Sequence, residues 1–512
     1  MSSHAIRAHR LLIAAMLLLV ATLAGAQPPE EQPPTPPAPA GPPPPQDQSE
    51  QPPADEVPGD ETAEEPVDDG PKPAGIGTSP EPTAVAMPSG RRYGGLFGGA
   101  RPRGMRGQSL DLTMSAFGGW DEPEDVPVLP GDENERVAVA GPFSGGAATL
   151  FYTRPGERLN LSGFGSGFVG YFPDNDDPWY PSYSAGFSGD AAFRVGRRTT
   201  LRLAQIEGFA TDLSLGHLGS GIGGGVQLPR ATGDTAFDNS LRRAPSLTSA
   251  SEVTLEHGLS SKTTLSTFYG YRNAYFFDTE DDRLPVRHDH RAGMRVRRRF
   301  TRDLALRAGY TFRKSWTGRQ DEEPRGFHDV DLGVDYSKSL PLSRRTQLYF
   351  NTGSTIAASE SASAGDDGGT FNDTRFFVVG SAGLLHEIGR SWSAQLGYTR
   401  DVGFEDGFGD PFLRDAAVAR VGGFLSPRVD LSASAQWTSA AIGLGERNFS
   451  AWTASAQIRT AITQSLAAYG TYYYYLQDFD AGVALPPGVV RDLSRQGVRV
   501  GLTTWLPLWS SR

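Results

Sequence analysis

The sequence predicts an all-β protein, a transmembrane antiparallel up-and-down β-barrel of about 18 strands, with 16 as the alternative count. Apolar and polar residues alternate from about residue 108 to the end of the 512-residue chain. A basic turn motif recurs at spacings near 40 residues. After the first 30 residues, no apolar run approaches the roughly 18 residues that a membrane-spanning helix needs. A chain can also span a membrane by closing its strands into a barrel, which satisfies every backbone polar group.

Residues 303–338 show the alternation most clearly. In their first half every second residue is apolar, namely Leu304, Leu306, Ala308, Tyr310 and Phe312. In their second half the same is true of Val330, Leu332, Val334 and Tyr336. Successive side chains of a strand point to opposite faces, so period two over about ten residues indicates a strand. The other face is small, polar and charged, as expected where lipid lies on one side and an enclosed aqueous interior on the other.

Three segments precede the barrel. Residues 1–26 have the form of a signal peptide, with basic residues, an apolar core and the Ala24-Gly25-Ala26 cleavage site. Residues 27–90 hold 20 of the 39 prolines, so we expect a disordered Pro-rich periplasmic linker. Residues 91–107 are basic and glycine-rich, and form either a connector or a short plug. The barrel is predicted over residues 108–512.

Charge and cysteine content limit the classes of partner. The formal net charge is −11, and the linker, with 13 acidic residues and one basic residue, accounts for it. The predicted barrel is nearly balanced, which gives no support to a nucleic-acid partner. The chain has no cysteine, so it has neither disulfides nor a thiolate metal site. Such a composition agrees with export to an oxidising compartment.

The turn motif divides the barrel into hairpins. Its basic residues are Arg197, Lys262, Arg302, Arg344, Arg390 and Arg428. Their spacings of 65, 40, 42, 46 and 38 residues mostly fit two membrane-length strands, a short turn and one longer loop. The predicted strands lie near 108–117, 146–153, 158–170, 184–195, 200–211, 248–257, 263–274, 288–299, 304–315, 327–338, 346–356, 372–385, 392–402, 413–424, 429–438, 449–459, 465–476 and 494–506. A change of phase within 158–170 predicts a bulge at a glycine.

Loop lengths and aromatic residues predict the orientation. Turns are short at one end, whereas the loops at the other end are long, polar and acidic. This asymmetry is typical of outer-membrane barrels whose termini both face the periplasm. The segments 268–277, 309–316 and 471–476 are predicted to form the outer aromatic girdle. The inner girdle is predicted to consist of Phe300, Trp392, Phe424, Trp505 and Trp509.

In these patterns the chain resembles bacterial outer-membrane β-barrel proteins, most closely the porin-like barrels of 16 to 18 strands. The resemblance rests on pattern rather than on a specific motif. It implies localisation in the bacterial outer membrane, contact with membrane lipid and lipopolysaccharide, and insertion by the barrel-assembly machinery. Such families usually end on an aromatic residue, whereas here Trp509 lies three residues before the end. The oligomeric state and a cell-wall or periplasmic partner of the linker remain open.

The charged residues on the polar face are the candidate pore lining. They are Arg291, Arg295, Arg297, Arg307, Arg313, Asp329, Asp331, Asp335, Arg414, Arg420 and Arg499. An arginine facing lipid near the bilayer midplane costs about 2–4 kcal/mol, so these residues are expected to point inward. They form either a salt-bridged lumen without a transport role or charged rings that tune the selectivity of a water-filled pore.

The longest predicted loop, 212–247, is a candidate constriction. It carries Asp234, Asp238, Arg242 and Arg243. In porins the loop at the corresponding place folds into the pore and narrows it. The alternative is a flap on the outside of the membrane.

No cofactor, metal site or enzymatic activity is predicted. His288-Asp289-His290 is interpreted as structural imidazoles at the rim rather than as a metal site. The chain lacks a GxSxG motif and any Ser/His/Asp set at a recognisable spacing. The predicted function is an outer-membrane channel for small hydrophilic solutes, with a preference for anionic ones. An export pore for a polysaccharide or other polymer, or a non-conducting scaffold or adhesin, are the alternatives.

Overall fold

The fold is taken from a computed structural model. It describes residues 96, 107–123, 141–173, 183–214, 240–277, 286–317, 325–340, 343–361, 371–389, 391–403, 412–442, 448–483, 485 and 491–510. The predicted signal peptide and linker lie outside the described residues. Within the described residues, no helix has the length and hydropathy of a membrane-spanning segment.

The described chain contains 18 β-strands, and each predicted strand corresponds to one of them. They are β1 Ser109–Pro123, β2 Gly141–Arg154, β3 Leu159–Tyr171, β4 Tyr183–Gly196, β5 Thr199–Ser214, β6 Ser240–Gly258, β7 Thr263–Phe276, β8 Arg287–Arg299, β9 Leu304–Thr317, β10 Arg325–Leu340, β11 Ser343–Ser361, β12 Phe371–Ile388, β13 Trp392–Gly403, β14 Phe412–Ser426, β15 Val429–Ile442, β16 Phe449–Ala461, β17 Leu466–Phe479 and β18 Asp492–Ser510. The predicted count of 18 is therefore confirmed.

The 18 strands form one closed antiparallel sheet. Each strand pairs with its neighbours in sequence, and β1 pairs with both β2 and β18. The closing pair runs from Ser109, opposite Ser510, to Pro123, opposite Arg495. Closure leaves no sheet edge, so the backbone of the first and last strands is hydrogen-bonded on both sides.

The connections between strands differ in length at the two ends of the barrel. At one end, hereafter the short-turn end, residues 197–198 join β4 to β5 and residues 427–428 join β14 to β15. At the other, the long-loop end, residues 124–140 join β1 to β2 and residues 215–239 join β5 to β6. The first strand, β1, begins at the short-turn end, and the last strand, β18, finishes there.

The strands around the predicted constriction loop are longer than expected. β5 extends to Ser214 and β6 begins at Ser240, with Asp212 opposite Arg243. The prediction of a loop over 212–247 was therefore wrong at both ends. The hydrogen-bonded ladder continues beyond the part of the strand that shows apolar alternation, because backbone pairing does not depend on side-chain hydropathy.

The predicted bulge in the third strand is also absent. β3 pairs with β2 and with β4 without a shift of register. The change of phase arises because Phe164 and Phe168 lie on the inner face while Gly165 and Gly167 lie on the outer face. In the sequence, aromatic residues of the inner face therefore give the same hydropathy pattern as apolar residues of the outer face.

The two faces of the sheet differ in chemistry. Large apolar side chains are exposed on one face, for example Leu306 at 42%, Tyr310 at 43% and Leu332 at 64%. The opposite face carries buried charged residues, including Asp331 at 4%. Alternation along each strand thus separates an apolar surface suited to lipid from a charged one.

Contacts between distant strands show which face is inside. Phe276, at the end of β7, packs against a buried cluster that includes Phe412 of β14 and Phe479 of β17. These residues lie on the charged face of their strands. Strands that are not neighbours in a closed sheet can touch only through the enclosed space, so the charged face is the inner one.

Inner-face glycines are covered by aromatic rings from the neighbouring strand. Phe268 of β7 stands opposite Gly293 of β8, and a Cβ at Gly293 would lie 2.7 Å from its ring. Similarly, the ring of Phe117 covers Gly145, where a Cβ would lie 2.8 Å from its Cζ. The absence of a side chain makes room for each ring, and the ring shields the exposed backbone.

Candidate pore lining

Strand register places the eleven predicted pore-lining residues on the inner face. Nine of them, eight in β8–β10 and Arg414 in β14, are held in the ion pairs described below, while Arg420 of β14 stands opposite Gln395 and Ser434. Arg499, the last member, lies in β18 opposite Thr471 and Gly119.

A buried ion-pair network joins strands β8, β9 and β10. The Arg295 Nε lies 3.1 Å from Asp331 Oδ2, and the Arg307 Nε lies 2.9 Å from Asp331 Oδ1. The side chains of these three residues are at most 9% exposed. Asp331 therefore balances two arginines in a space with little water, where an unpaired charge would be costly.

A glycine allows the longer of these contacts. Gly309 of β9 stands between Arg295 and Asp331 in the register. A Cβ at Gly309 would lie 3.3 Å from the Cβ of Arg295, tighter than ordinary van der Waals contact. Because the position has no side chain, Arg295 can cross β9 and reach a carboxylate two strands away.

A glycine also allows an ion pair between β6 and β8. Arg291 of β8 pairs with Glu252 of β6. The residue between them in the register is Gly270 of β7. A Cβ there would lie 2.6 Å from the Nε of Arg291. Glycine on the middle strand is therefore a requirement for this ion pair as well.

Other pairs on the same wall remain partly accessible. The Arg297 Nε lies 3.1 Å from Asp335 Oδ2, and the two side chains are 27% and 26% exposed. Arg313 Nη2 lies 2.8 Å from Asp329 Oδ2, with side-chain exposures of 21% and 3%. Both arginines and Asp335 thus keep accessible surface on the inner face, whereas Asp329 is buried.

The wall from β13 to β1 holds buried and half-buried ion pairs that sequence reasoning missed. Arg414 Nε lies 2.9 Å from Asp401 Oδ1 of β13, and Arg459 Nε lies 3.0 Å from Asp430 Oδ1 of β15. In each pair the residues stand directly opposite each other. The residue types were visible in the sequence, but only the register of pairing shows that they meet.

A further buried pair joins the last strand to the first. Arg495 of β18 pairs with Asp121 of β1, whose side chain is 2% exposed. From the sequence, Asp121 was expected in the long connection after the first strand, which was predicted near 108–117. It lies instead in β1, which extends to Pro123. The pair links the two strands whose contact closes the barrel.

Arg499 lies among aromatic rings on the inner face. Its Cζ lies 4.8 Å from the ring centre of Phe117 and 5.7 Å from those of Phe143 and Tyr473. These distances are in the range of cation–π interactions. Tyr473 and Tyr475 were expected in the outer girdle, but both are 2% exposed on the inner face.

Two members of the predicted inner girdle also lie on the inner face. Phe424 and Trp505 face inward at the short-turn end, where they pack with Leu96. Leu96 belongs to the predicted connector or plug and is 4% exposed. At this position the 91–107 segment therefore touches the inner wall of the barrel.

The four residues predicted for the constriction loop fall into two groups. Arg242 and Arg243 belong to β6, opposite Leu213 and Asp212, so they are not loop residues. Asp234 and Asp238 lie outside the described residues.

The histidines of the His288-Asp289-His290 motif face outward, as does His328. Each accepts or donates a hydrogen bond at Nδ1 with a tyrosine hydroxyl: Tyr271–His288 at 2.9 Å, Tyr269–His290 at 2.6 Å and Tyr310–His328 at 2.7 Å. Trp316 stacks on His290 with a centroid distance of 4.8 Å. Among the described residues, no group of three or more His, Cys, Asp or Glu side chains could hold a metal ion.

His288 and His290 belong to a polar strip on the outward face. Two adjacent register rows of β5–β9 form it: Glu207, Ser249, Asn273, His288 and Trp316, then Gln205, Ser251, Tyr271, His290 and Lys314. Ser249 Oγ donates to Glu207 Oε1 at 2.8 Å, and Gln205 Nε2 donates to the same oxygen at 2.5 Å. The carboxylate of Glu207 is thus hydrogen-bonded within the strip.

Comparison with known proteins gives structural similarities alone. No protein-family model matches the chain. No curated protein matches it either. OpdL of Pseudomonas aeruginosa is 14% identical, with 78% of this chain and 99% of that chain covered and a TM-score of 0.37. OccAB4 of Acinetobacter baumannii is 14% identical, with 79% and 100% covered and a TM-score of 0.38.

A third similar structure is OccK2 (OpdF) of Pseudomonas aeruginosa in complex with glucuronate. It is 11% identical, with 78% of this chain and 97% of that chain covered and a TM-score of 0.40. Similarity at this level does not establish a function. The closed sheet, the apolar outward face and the ion-paired inner face establish the fold. In fold, the chain is therefore a closed antiparallel β-barrel of 18 strands.

Proposed function

We propose that the protein is an outer-membrane channel for small hydrophilic solutes, with its short-turn end and N-terminal linker in the periplasm. The supporting observation is the accessibility of charged side chains on the inner face of β6–β10. Arg291 and Glu252 are 35% and 32% exposed, and Arg297 and Asp335 are 27% and 26% exposed. Charged groups exposed inside a closed barrel indicate a lumen that holds water.

The same wall would give the channel its selectivity. Rings of charged side chains select among ions through the field they create in the pore. Arg313 is 21% exposed, whereas its partner Asp329 is 3% exposed. The guanidinium therefore presents more surface to the lumen than the carboxylate does, which favours anionic solutes.

Replacing Arg313 by Gln tests this preference. In planar bilayers with refolded mature protein, we expect stepwise conductance and, under a salt gradient, a reversal potential on the anion-selective side. Arg313→Gln should shift the reversal potential towards cation selectivity, because it leaves the charge of Asp329 uncompensated. Arg302→Gln is the matched control, since Arg302 is exposed in the turn between β8 and β9 and should not change the reversal potential.

The outcomes separate the two parts of the proposal. A folded protein that never conducts would contradict the channel function. Clear cation preference in the unsubstituted protein would contradict the anionic preference while leaving the channel intact.

A non-conducting scaffold is the competing function, and one observation favours it. On the wall formed by β14–β18, many inner side chains are almost fully buried, as for Tyr473 and Tyr475 at 2%. A lumen packed in this way throughout would not conduct. The conductance measurement decides between the two functions, because a packed scaffold would carry no current even though charged side chains of β6–β10 are exposed.

A further inference from the structure

A buried apolar cluster lies at the long-loop end of the barrel. Its members are Phe412, Ala440, Phe449, Ala451, Tyr475, Phe479, Val483 and Leu493. Seven of them are inner-face residues of β14–β18, whereas Val483 lies in the connection from β17 to β18. Val483 is 8% exposed, and Leu485 packs against the cluster from the same connection. The described part of this connection, residues 480–483, 485 and 491, is called the strap below.

The cluster reaches the far wall of the barrel. Phe276 of β7 also packs against the cluster. Seven strands lie between β7 and β17 by the shorter route around the sheet. An apolar contact between walls so far apart must cross the mouth of the lumen, so the cluster occupies part of that opening.

Arg491 fixes the fold of the strap. Its guanidinium donates hydrogen bonds to the backbone oxygens of Phe479 at 3.3 Å, of Val483 at 3.2 Å and of Asp480. The Val483 N–H also donates to the Asp480 oxygen at 3.0 Å. One guanidinium thus binds three backbone carbonyl groups. Hydrogen bonds from a charged donor are stronger than those from a neutral donor.

The strap is also tied to the neighbouring connection, between β15 and β16. The Asp480 N–H donates to the Asn448 oxygen at 2.9 Å. The Asn448 side chain in turn accepts from the Ile442 N–H at 2.9 Å. These bonds anchor the base of the strap on two hairpins, so the position of Val483 does not depend on apolar packing alone.

We propose that the strap is the constriction at the long-loop mouth and that Arg491 holds it closed over the lumen. It would take the role expected from the sequence for the 212–247 loop. Val483 and Leu485 would narrow the entrance with apolar surface, and solutes would enter along the charged β6–β10 wall. The inference rests on the proposed channel function for its effect on conductance, but the position of the strap is testable without it.

Thiol labelling tests the position of the strap. The chain has no cysteine, so Val483→Cys introduces a single thiol. Ala481→Cys is the matched control, because Ala481 is exposed in the same strap. With refolded protein in vesicles and a polar maleimide, Val483→Cys should react at least about tenfold more slowly than Ala481→Cys. Equal rates for the two thiols would overturn the proposal.

The role of Arg491 is tested in the same background. Arg491→Gln should raise the labelling rate of Val483→Cys by about tenfold or more, since three hydrogen bonds from a charged donor are lost. Arg491→Lys should give a smaller increase, because an ammonium lacks the planar fork of the guanidinium. Heat-modifiable mobility in detergent gels verifies that each variant is folded. Unchanged labelling in the folded Arg491→Gln variant would contradict the role of Arg491.

Conductance separates this inference from the proposed function. Arg491→Gln should give larger single-channel steps than the unsubstituted protein, whereas Arg302→Gln should not. Conducting protein with equal steps in both variants would overturn the constriction and leave the channel function standing. Slow labelling of Val483→Cys in a protein that never conducts would support a covered mouth and overturn the channel function.

Discussion

Replacing Asp331 by Asn is expected to lower the free energy of unfolding by about 3–5 kcal/mol, the cost of removing one partner from a buried ion pair. Asp331 is the acidic partner of both Arg295 and Arg307, and its side chain is 6% exposed. Asparagine has the same shape but no charge. Arg307 keeps Asp335 and the backbone oxygen of Thr352, so the main loss falls on Arg295. Urea unfolding in lipid vesicles, followed by tryptophan fluorescence, measures the change.

A double substitution shows whether the cost comes from the unpaired charge. Arg295→Gln together with Asp331→Asn removes both charges and should be less destabilising than the sum of the single changes, with a coupling of about 0.5–3 kcal/mol. The control is Glu157→Gln in the exposed β2–β3 turn, which should stay within about 0.5 kcal/mol. An Asp331→Asn variant as stable as this control would show that the network contributes little to stability.

Replacing Gly293 by Val should destabilise the barrel by about 1–3 kcal/mol, the usual cost of overpacking. A Cβ at this position would lie 2.7 Å from the backbone oxygen of Tyr310 and 2.7 Å from Cζ of Phe268. The oxygen belongs to the neighbouring strand, so it cannot move without disturbing the ladder. The same urea unfolding experiment measures the change.

Gly470→Val provides the matched control on the outward face. The nearest atom to a Cβ at Gly470 is Cγ2 of Ile458, at 3.9 Å. A valine there would face lipid among apolar neighbours and replace a residue that weakens strands. We expect an unchanged or slightly higher free energy of unfolding. If Gly293→Val were tolerated as well as Gly470→Val, the close packing of rings over inner glycines would not restrict which residues can occupy those positions.

Most of the architecture was predictable because alternation is a local property. The residues around Leu306 and Leu332 show period two by themselves, and both lie in strands, β9 and β10. The errors lie where inner and outer residues have the same hydropathy. Phe164 and Phe168 of β3, and Tyr473 and Tyr475 of β17, are aromatic residues on the inner face, and hydropathy does not distinguish a ring facing lipid from a ring covering a glycine.

Partners across the sheet were not predictable, because they depend on the register of strands far apart in sequence. Asp121 and Arg495 meet only because β1 and β18 close the barrel. Arg291 reaches Glu252 only because Gly270 is placed between them. Neither the spacing nor the composition of the sequence indicates which residues stand opposite each other in the sheet.

By itself, the sequence determined the number of strands, their order and the end at which the long connections lie, because period two and turn residues are recorded residue by residue. Only the tertiary structure decided which charges pair, which rings fill the inner face and which connection packs against the apolar cluster at the long-loop end. Phe276 and Val483 share one apolar cluster although 206 residues separate them. Such contacts exist only once the sheet has closed, since closure brings opposite walls to a shared interior.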